Sequence, residues 1–338
     1  MSQQPLISLC IANYNGMDVI DDCIQSIHQQ TASPDIEIIV HDDKSTDTSV
    51  VHIQETYPDV HLIESETNVG FCVANNRMAA MARGEYLLLL NNDAALYPNA
   101  LDTLYCAAQT FGLPAIIGLP QYDFDSGELL DIGSMLDLFL NPIPNKDSMQ
   151  NDVGMVMGAC LWIPKQLWLE IGGFPEWFGS IGEDLYLCCC ARLAGYPVSV
   201  LSESGYRHKV GISFGGGKIN EGKLSTTQLR RALSERNKTF VMLICYPWPL
   251  LLFLFVPHLL LLHIEGAVLS IIKLNPSLWR RIYAPLLASL WQEHHRIWSM
   301  RKVVQRQRKI SLAAWLKPFR WLPWKLKMAL KHGIPEIK

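Results

Sequence analysis

The first hundred residues alternate between short apolar runs and stretches whose apolar positions recur on one helical face. Leu6–Ile11 is the first run, and it ends in Ala12-Asn13-Tyr14-Asn15-Gly16, a loop signal. Val19, Ile20, Cys23, Ile24 and Ile27 follow with the spacing of an amphipathic helix. Ile36–Val40 predicts a second strand, ended by His41-Asp42-Asp43, and His61–Ile63 a brief third. Phe71–Ala82 reads as a helix, and Tyr86–Leu90 as a buried strand closed by Asn91-Asn92-Asp93. The strand-then-helix repeat of roughly 25–30 residues is that of βαβ units. Its polar loops sit at the carboxyl ends of strands, where open α/β sheets bind ligands.

Beyond a helix over Asn99–Thr110 the rhythm changes. Ala115–Leu119 predicts one more strand, and Gln121–Gly133 a hairpin turning at Asp125-Ser126-Gly127. Met155–Ile163 reads as an apolar strand, Lys165–Ile171 as a helix and Gly172–Gly182 as a loop. Glu183–Leu193 reads as a helix and Val198–Leu201 as a strand. Val210–Gly222, with Gly215-Gly216-Gly217, has the composition of a flexible lid. The expected division is an α/β catalytic domain over 1–222 and a helical region, apolar then basic and aromatic, over 223–338.

Thr239–Ile264 carries no formal charge over 26 residues, longer than the roughly 20 that span a bilayer. Pro247, Pro249 and Pro257 argue against one straight helix through it. Residues 273–338 hold 15 basic and 2 acidic side chains and six of the ten tryptophans, whereas residues 1–272 hold 14 basic and 30 acidic ones. An acidic body with a basic tail points to an anionic surface as the tail's partner, with no nucleic acid expected. With 49% of 338 residues hydrophobic, disordered and collagen-like classes are excluded. Nine cysteines, three of them adjacent at Cys188-Cys189-Cys190, and no opening secretory signal imply a reducing compartment.

Several residues could carry chemistry, each beside a plainer role. A carboxylate at Asp93, closing a strand, is placed to hold a divalent ion on a diphosphate, or simply to cap the next helix. Asp42 or Asp43 could accept hydrogen bonds from a base or ribose, while Asp47 or Thr46 reads as a helix cap. Glu183-Asp184 could supply a general base, or merely favourable acids at a helix N-terminus. His208 could be a metal ligand or a solvated histidine. Gly215-Gly216-Gly217 is not followed by Gly-Lys-Ser/Thr and is not a Walker loop.

Taken in order, these pieces resemble a family 2 glycosyltransferase with the GT-A fold over residues 5–218. The resemblance runs from Leu9–Gly16 through Ile39–Ser49, Asn68-Val69-Gly70-Phe71 with Asn75-Asn76, and Leu88–Asp93, to Gly182–Leu185 and His208. The most similar subgroup holds bacterial rhamnosyltransferase-like enzymes of surface-polysaccharide assembly. The resemblance implies a nucleotide-sugar-binding α/β fold with a mostly parallel central sheet. Asn13, Tyr14, Asp42 and Asp43 would line the nucleobase pocket, and Asn68, Gly70 and Asn76 the ribose side. Asn91-Asn92-Asp93 would be the metal motif with only its last carboxylate kept. Asp93 would hold Mg²⁺ or Mn²⁺ on the donor diphosphate, and His208 would complete the shell. Asp184, with Glu183 beside it, would be the base of an inverting transfer, in the hexosyltransferase class, to a lipid-linked saccharide or glycan. Rhamnose on thymidine or uridine diphosphate is the donor this suggests.

The sequence departs from the family at Tyr186, where many relatives carry a second Asp, at Asn91, and at Cys188–Cys190, read as helix packing rather than reactive thiols. A sugar-nucleotide pyrophosphorylase is disfavoured because Ala12–Gly16 has no basic residue; an inactive membrane scaffold of the same fold is the other alternative. Arg230, Arg231, Arg236 and Lys238 precede the uncharged stretch, and Lys273, Arg280 and Arg281 follow it. A single crossing would strand one cluster on the wrong side of the membrane. Thr239–Ile272 is therefore expected to lie in the interface, or enter and return on one face, with the tail on anionic headgroups. That makes the chain peripheral or monotopic at the cytoplasmic face of the inner or plasma membrane. Packing of this stretch on the body or on a second copy, a homodimer, is the alternative.

Overall fold

Ile7–Asn13 (β1) is apolar on both sides, as a strand covered on both faces must be, and Ile7, Leu9, Cys10 and Ile11 are fully buried. It pairs in parallel with Ile36–Asp42 (β2), which pairs in parallel with His61–Glu64 (β3). On its other side β1 pairs in parallel with Tyr86–Asn91 (β4). The helix Ile20–His28 turns Ile20, Cys23, Ile24 and Ile27 into the same core, as its spacing requires. The structure, a computed structural model, describes residues 4–31, 34–211, 215–220 and 223–338.

Seven strands form the main sheet, in the order Val198–Val200, Ile116–Gly118, Cys160–Pro164, β4, β1, β2, β3. Only Cys160–Pro164 runs against its neighbours. The expected α/β class and mostly parallel sheet are thus both present. The strand expected over Met155–Ile163 begins only at Cys160, because the preceding backbone is bonded elsewhere. Met155 N donates to Ser134 O, Val156 N to Cys188 Sγ and Gly158 N to Asp184 Oδ2. The hairpin of Gln121–Asp123 and Leu129–Asp131 is as expected and belongs to a second, four-stranded sheet with Ala94–Leu96 and Tyr206–His208.

The chain divides into two compact units. The first holds Met1–Ser134, Pro144–Ala191 and Tyr196–Lys209, and with them both sheets just described. The second holds Met135–Ile143, Arg192–Gly195 and Val210–Lys338. Part of the expected lid over 210–222 lies outside the described residues; the described part is a hairpin, Gly216–Asn220 with Lys223–Thr226, extended by Glu336–Ile337.

Helices dominate the rest of the second unit: Gln228–Cys245, Trp248–Ile272, Pro285–Arg306 and Trp324–His332. Two sequence expectations are corrected here. Thr239–Tyr246 is buried within the unit rather than turned outward, which leaves Trp248–Ile272 as the exposed apolar part. The chain breaks only before Pro247, where Arg301 Nη1 donates to the carbonyls of Leu243 and Tyr246 at 2.6 and 2.8 Å and Gln305 Nε2 to Cys245 O. Those donors satisfy the helix's orphan carbonyls. Pro249 stands in the first turn of the next helix, where a missing N–H is harmless, and the helix continues through Pro257.

Candidate active site

Strand register gathers the first half of the site. Asn13 lies opposite Asp42, and Ala12 beside Asn91, so three polar strand ends meet at one edge of the sheet. Asn13 links them. Its Nδ2 donates to Asp42 Oδ1 at 2.8 Å and Ser49 Oγ at 3.1 Å, and its Oδ1 accepts from Asn92 Nδ2 at 2.9 Å. Asp42 also accepts from Ser45 N at 2.8 Å and from the Ser45 hydroxyl. Asp43 takes the backbone N–H groups of Val69 and Gly70, at 2.6 and 2.8 Å, and so anchors the Asn68–Gly70 turn. Asp42, Asp43 and Asn92 are buried by this arrangement, while Tyr14 and Asn68 are exposed. The carboxylates are thus taken up by neighbouring backbone and side chains, whereas Tyr14 and Asn68 are open to solvent.

Asn76, expected on the ribose side, is hydrogen-bonded to a neighbouring loop. Its Oδ1 accepts from Phe174 N at 3.0 Å and its Nδ2 donates to Phe174 O at 2.9 Å, which makes it a clasp for that loop. Sequence reasoning also passed over the cross-links between the first two loops. Asn15, at φ 50°, accepts from Thr46 N at 2.7 Å, and Asp47 accepts from Met17 N at 2.9 Å. Burial alone would raise the Asp47 carboxyl; hydrogen bonds from Ser49 and Met17 bring it below the usual range instead.

The second sheet supplies the next pair. Tyr206–His208 runs antiparallel to Ala94–Leu96 with His208 opposite Ala94, which carries the imidazole to Asp93. His208 Nε2 lies 3.0 Å from Asp93 Oδ1, and both side chains are buried. Among the described residues, Asn91 Oδ1 and His208 Nδ1 are buried without a hydrogen-bond partner, and the imidazole is the neighbour of Asp93 Oδ1. A carboxylate and an imidazole so arranged suit a divalent cation such as Mg²⁺ or Mn²⁺, with remaining ligands from diphosphate and water. Among the described residues no three His, Cys, Asp or Glu side chains converge, so the chain would grip such an ion by two side chains.

The expected base stands at the start of the helix Glu183–Leu193. The chain enters it through Ile181 and Gly182 at φ 68° and 90°. Asp184 Oδ2 accepts from Gly158 N at 3.1 Å. Glu183 is buried whereas Asp184 is half-buried, so of the two only Asp184 has a substantial open surface. Tyr206, on the same strand as His208, donates its hydroxyl to Gln121 Oε1 at 2.9 Å. Its hydroxyl is pushed far above the ordinary range by burial first, then by Cys160, and then by the charges of Asp131, Asp184 and Asp93. Cys188, Cys189 and Cys190 are buried in the helix packing.

Residues 8–167, a little under half of the chain, match the family model described as glycosyl transferase family 2. The chain is similar to the poly(ribitol-phosphate) beta-glucosyltransferase of Bacillus spizizenii, with 38% identity over 213 residues, 60% of this chain and 32% of that one. It shares its fold with residues 1–349 of Staphylococcus aureus TarS in complex with UDP, at 16% identity and TM-score 0.53, covering 89% of this chain and 90% of that one. GalNAc-T7 with UDP, GalNAc and Mn²⁺ has the same fold at 14% identity and TM-score 0.55, over 72% and 48% of the two chains. The chain spans about a third of the length of the curated relatives it matches.

Proposed function

We propose that the chain is an inverting, metal-dependent glycosyltransferase of cell-surface glycan synthesis. It moves a sugar from a nucleotide-diphosphate donor to a hydroxyl of a lipid-linked saccharide or polysaccharide. The observation that carries this reading is the half-buried Asp184, held by Gly158 N at a helix start, together with the buried Asp93–His208 pair. Asp184 takes the proton of the acceptor hydroxyl, whose oxygen forms a bond to the anomeric carbon as the bond to the nucleotide diphosphate breaks. Attack opposite the departing group inverts the centre. Asp93 and His208 are the residues that would hold Mg²⁺ or Mn²⁺; a cation there neutralises charge on the leaving diphosphate.

The donor we favour is rhamnose on a thymidine or uridine diphosphate; the UDP-bound neighbour supports a pyrimidine nucleotide. Because nucleotide sugars are cytosolic, the site of action is the cytoplasmic face of the plasma membrane. Asp184→Asn should cut transfer by about 10²–10⁴-fold, the worth of a general base, while donor binding survives in calorimetry. Near-normal turnover would remove Asp184 from the mechanism. Asp93→Ala should weaken donor and metal binding together, and His208→Ala less so. Activity untouched by EDTA would overturn the metal part.

A further inference from the structure

Trp248–Ile272 is a helix of 25 residues, about 37 Å long at 1.5 Å per residue, and its two sides differ. On one side Leu262 and Leu269 join Leu278, Ile282, Tyr283 and Leu286 in a small core. Gly266 fits against the Tyr283 ring, where a Cβ would come within 2.5 Å. His258 Nε2 lies 2.8 Å from Thr239 Oγ1. Glu265 pairs with Arg231 and, at 2.7 Å, with Lys325. On the other side Phe253, Val256, Leu260, Ile264, Val268 and Ile271 follow one another at intervals of three or four residues. All are exposed, and no charge falls among them. Exposed indoles flank this stripe: Trp248, stacked on Trp298 at 6.0 Å, and Trp279, beside His263 at 6.1 Å. Past its end stand Lys273, Arg280 and Arg281, exposed and without an ion-pair partner among the described residues.

We propose that this stripe is a membrane-docking surface on which the helix lies in the plane of an anionic leaflet, immersed only to the depth of its exposed face. The proposal rests on the membrane localisation given above and adds how the chain attaches. Indoles and cations around an apolar stripe match the boundary between acyl chains and anionic headgroups. A crossing helix is disfavoured by Glu265. Its partners Arg231 and Lys325 belong to one network with the buried Glu235 and Lys238. Spanning the bilayer would drag that network into hydrocarbon or tear it apart. A second copy on the stripe is disfavoured because it would bring two strongly cationic tails together.

The test uses the full chain with vesicles of phosphatidylglycerol and phosphatidylethanolamine, against phosphatidylcholine alone. Flotation with the anionic vesicles is expected, weakened at least tenfold both by Val256→Ser/Leu260→Ser/Ile264→Ser and by Lys273→Gln/Arg280→Gln/Arg281→Gln. Brominated lipids address the unaltered protein, so folding of the variants does not decide the outcome: shallow bromines should quench tryptophan more than deep ones. Cysteines introduced at Leu229 and Arg306 in a Cys106→Ser background should label from the same side. Deepest quenching by deep bromines, or labelling from opposite sides, overturns the in-plane arrangement while leaving attachment standing. No flotation with either vesicle overturns both, all the more if the apolar variant dissolves a dimer. Sugar transfer in detergent is scored separately and is independent of either result.

Discussion

At the scale of single residues, Gly16 is fixed by what surrounds it. A Cβ there would stand 2.1 Å from Asn13 Oδ1 and 2.4 Å from Asn92 Nδ2, so a larger residue must separate that pair. Gly16→Ala should cost about 1–3 kcal/mol of stability, the scale of overpacking, and weaken UDP binding in calorimetry. Full affinity in a destabilised variant would separate the Asn13–Asn92 pair from the donor. Asp131 offers a second test. Burial pushes its carboxyl up to about 6, despite hydrogen bonds from Ser134 Oγ and Asn145 N. The unfolded chain loses this proton near 3.9, so unfolding between the two values releases a proton. This residue therefore favours the folded state most below about pH 4, progressively less up to about pH 6, and by a constant, smaller amount above. The span is up to about 3 kcal/mol. Asp131→Asn should flatten that slope in melting temperatures measured from pH 4 to 6.5. The polar strand ends at Asn13, Asp42 and Asp93 were legible because loop chemistry interrupts apolar runs there. The role of Gly158 was not, since its N–H reaches Asp184 across 26 residues and no local pattern records such a bond.

Among elements, the second unit turns on how helix Gln228–Cys245 meets its neighbours. Glu235 and Lys238 on that helix are both buried; they pair at 2.9 Å, and Lys325 reaches Glu235 at 2.6 Å. Burial alone would raise the Glu235 carboxyl, but Lys238, Lys325 and Arg231 hold it well below the carboxylate range. Its contribution is thus complete above the unfolded value near 4.3 and is lost as the pH falls through the folded one, opposite in sign to that of Asp131. Glu235→Gln leaves Lys238 buried beside cations and should cost about 3–5 kcal/mol. Hydrogen exchange should register the loss first in Gln228–Cys245. The helices Ile20–His28, Phe71–Met81, Ala100–Thr110 and Glu183–Leu193 were read well from sequence, because burial periodicity accumulates over several turns. The three-residue strands at Ala94–Leu96 and Tyr206–His208 are too short to set up an alternation. Pro257 misled for another reason: a proline removes one helix hydrogen bond but does not prevent neighbouring turns from continuing.

For the whole molecule, the α/β class and mostly parallel sheet followed from the spacing of runs and loops. The reversed strand Cys160–Pro164 did not, because an apolar run carries no mark of its direction. That strand has a consequence for the order of assembly. β1 to β4 come from the first 91 residues and can pair as soon as they exist, but Cys160–Pro164 lies next to β4 in the finished sheet. Until it arrives, the Leu87–Leu90 edge of β4 has no strand on that side, and unpaired apolar edges invite pairing with other chains. Fragments ending between residues 110 and 155 should therefore aggregate when released from the ribosome, whereas fragments ending at residue 209 should stay soluble. Sedimentation of a nested truncation series would locate the change, and its expected place is the synthesis of residues 160–164. A chaperone that bound the nascent chain would be needed over that interval and not after it.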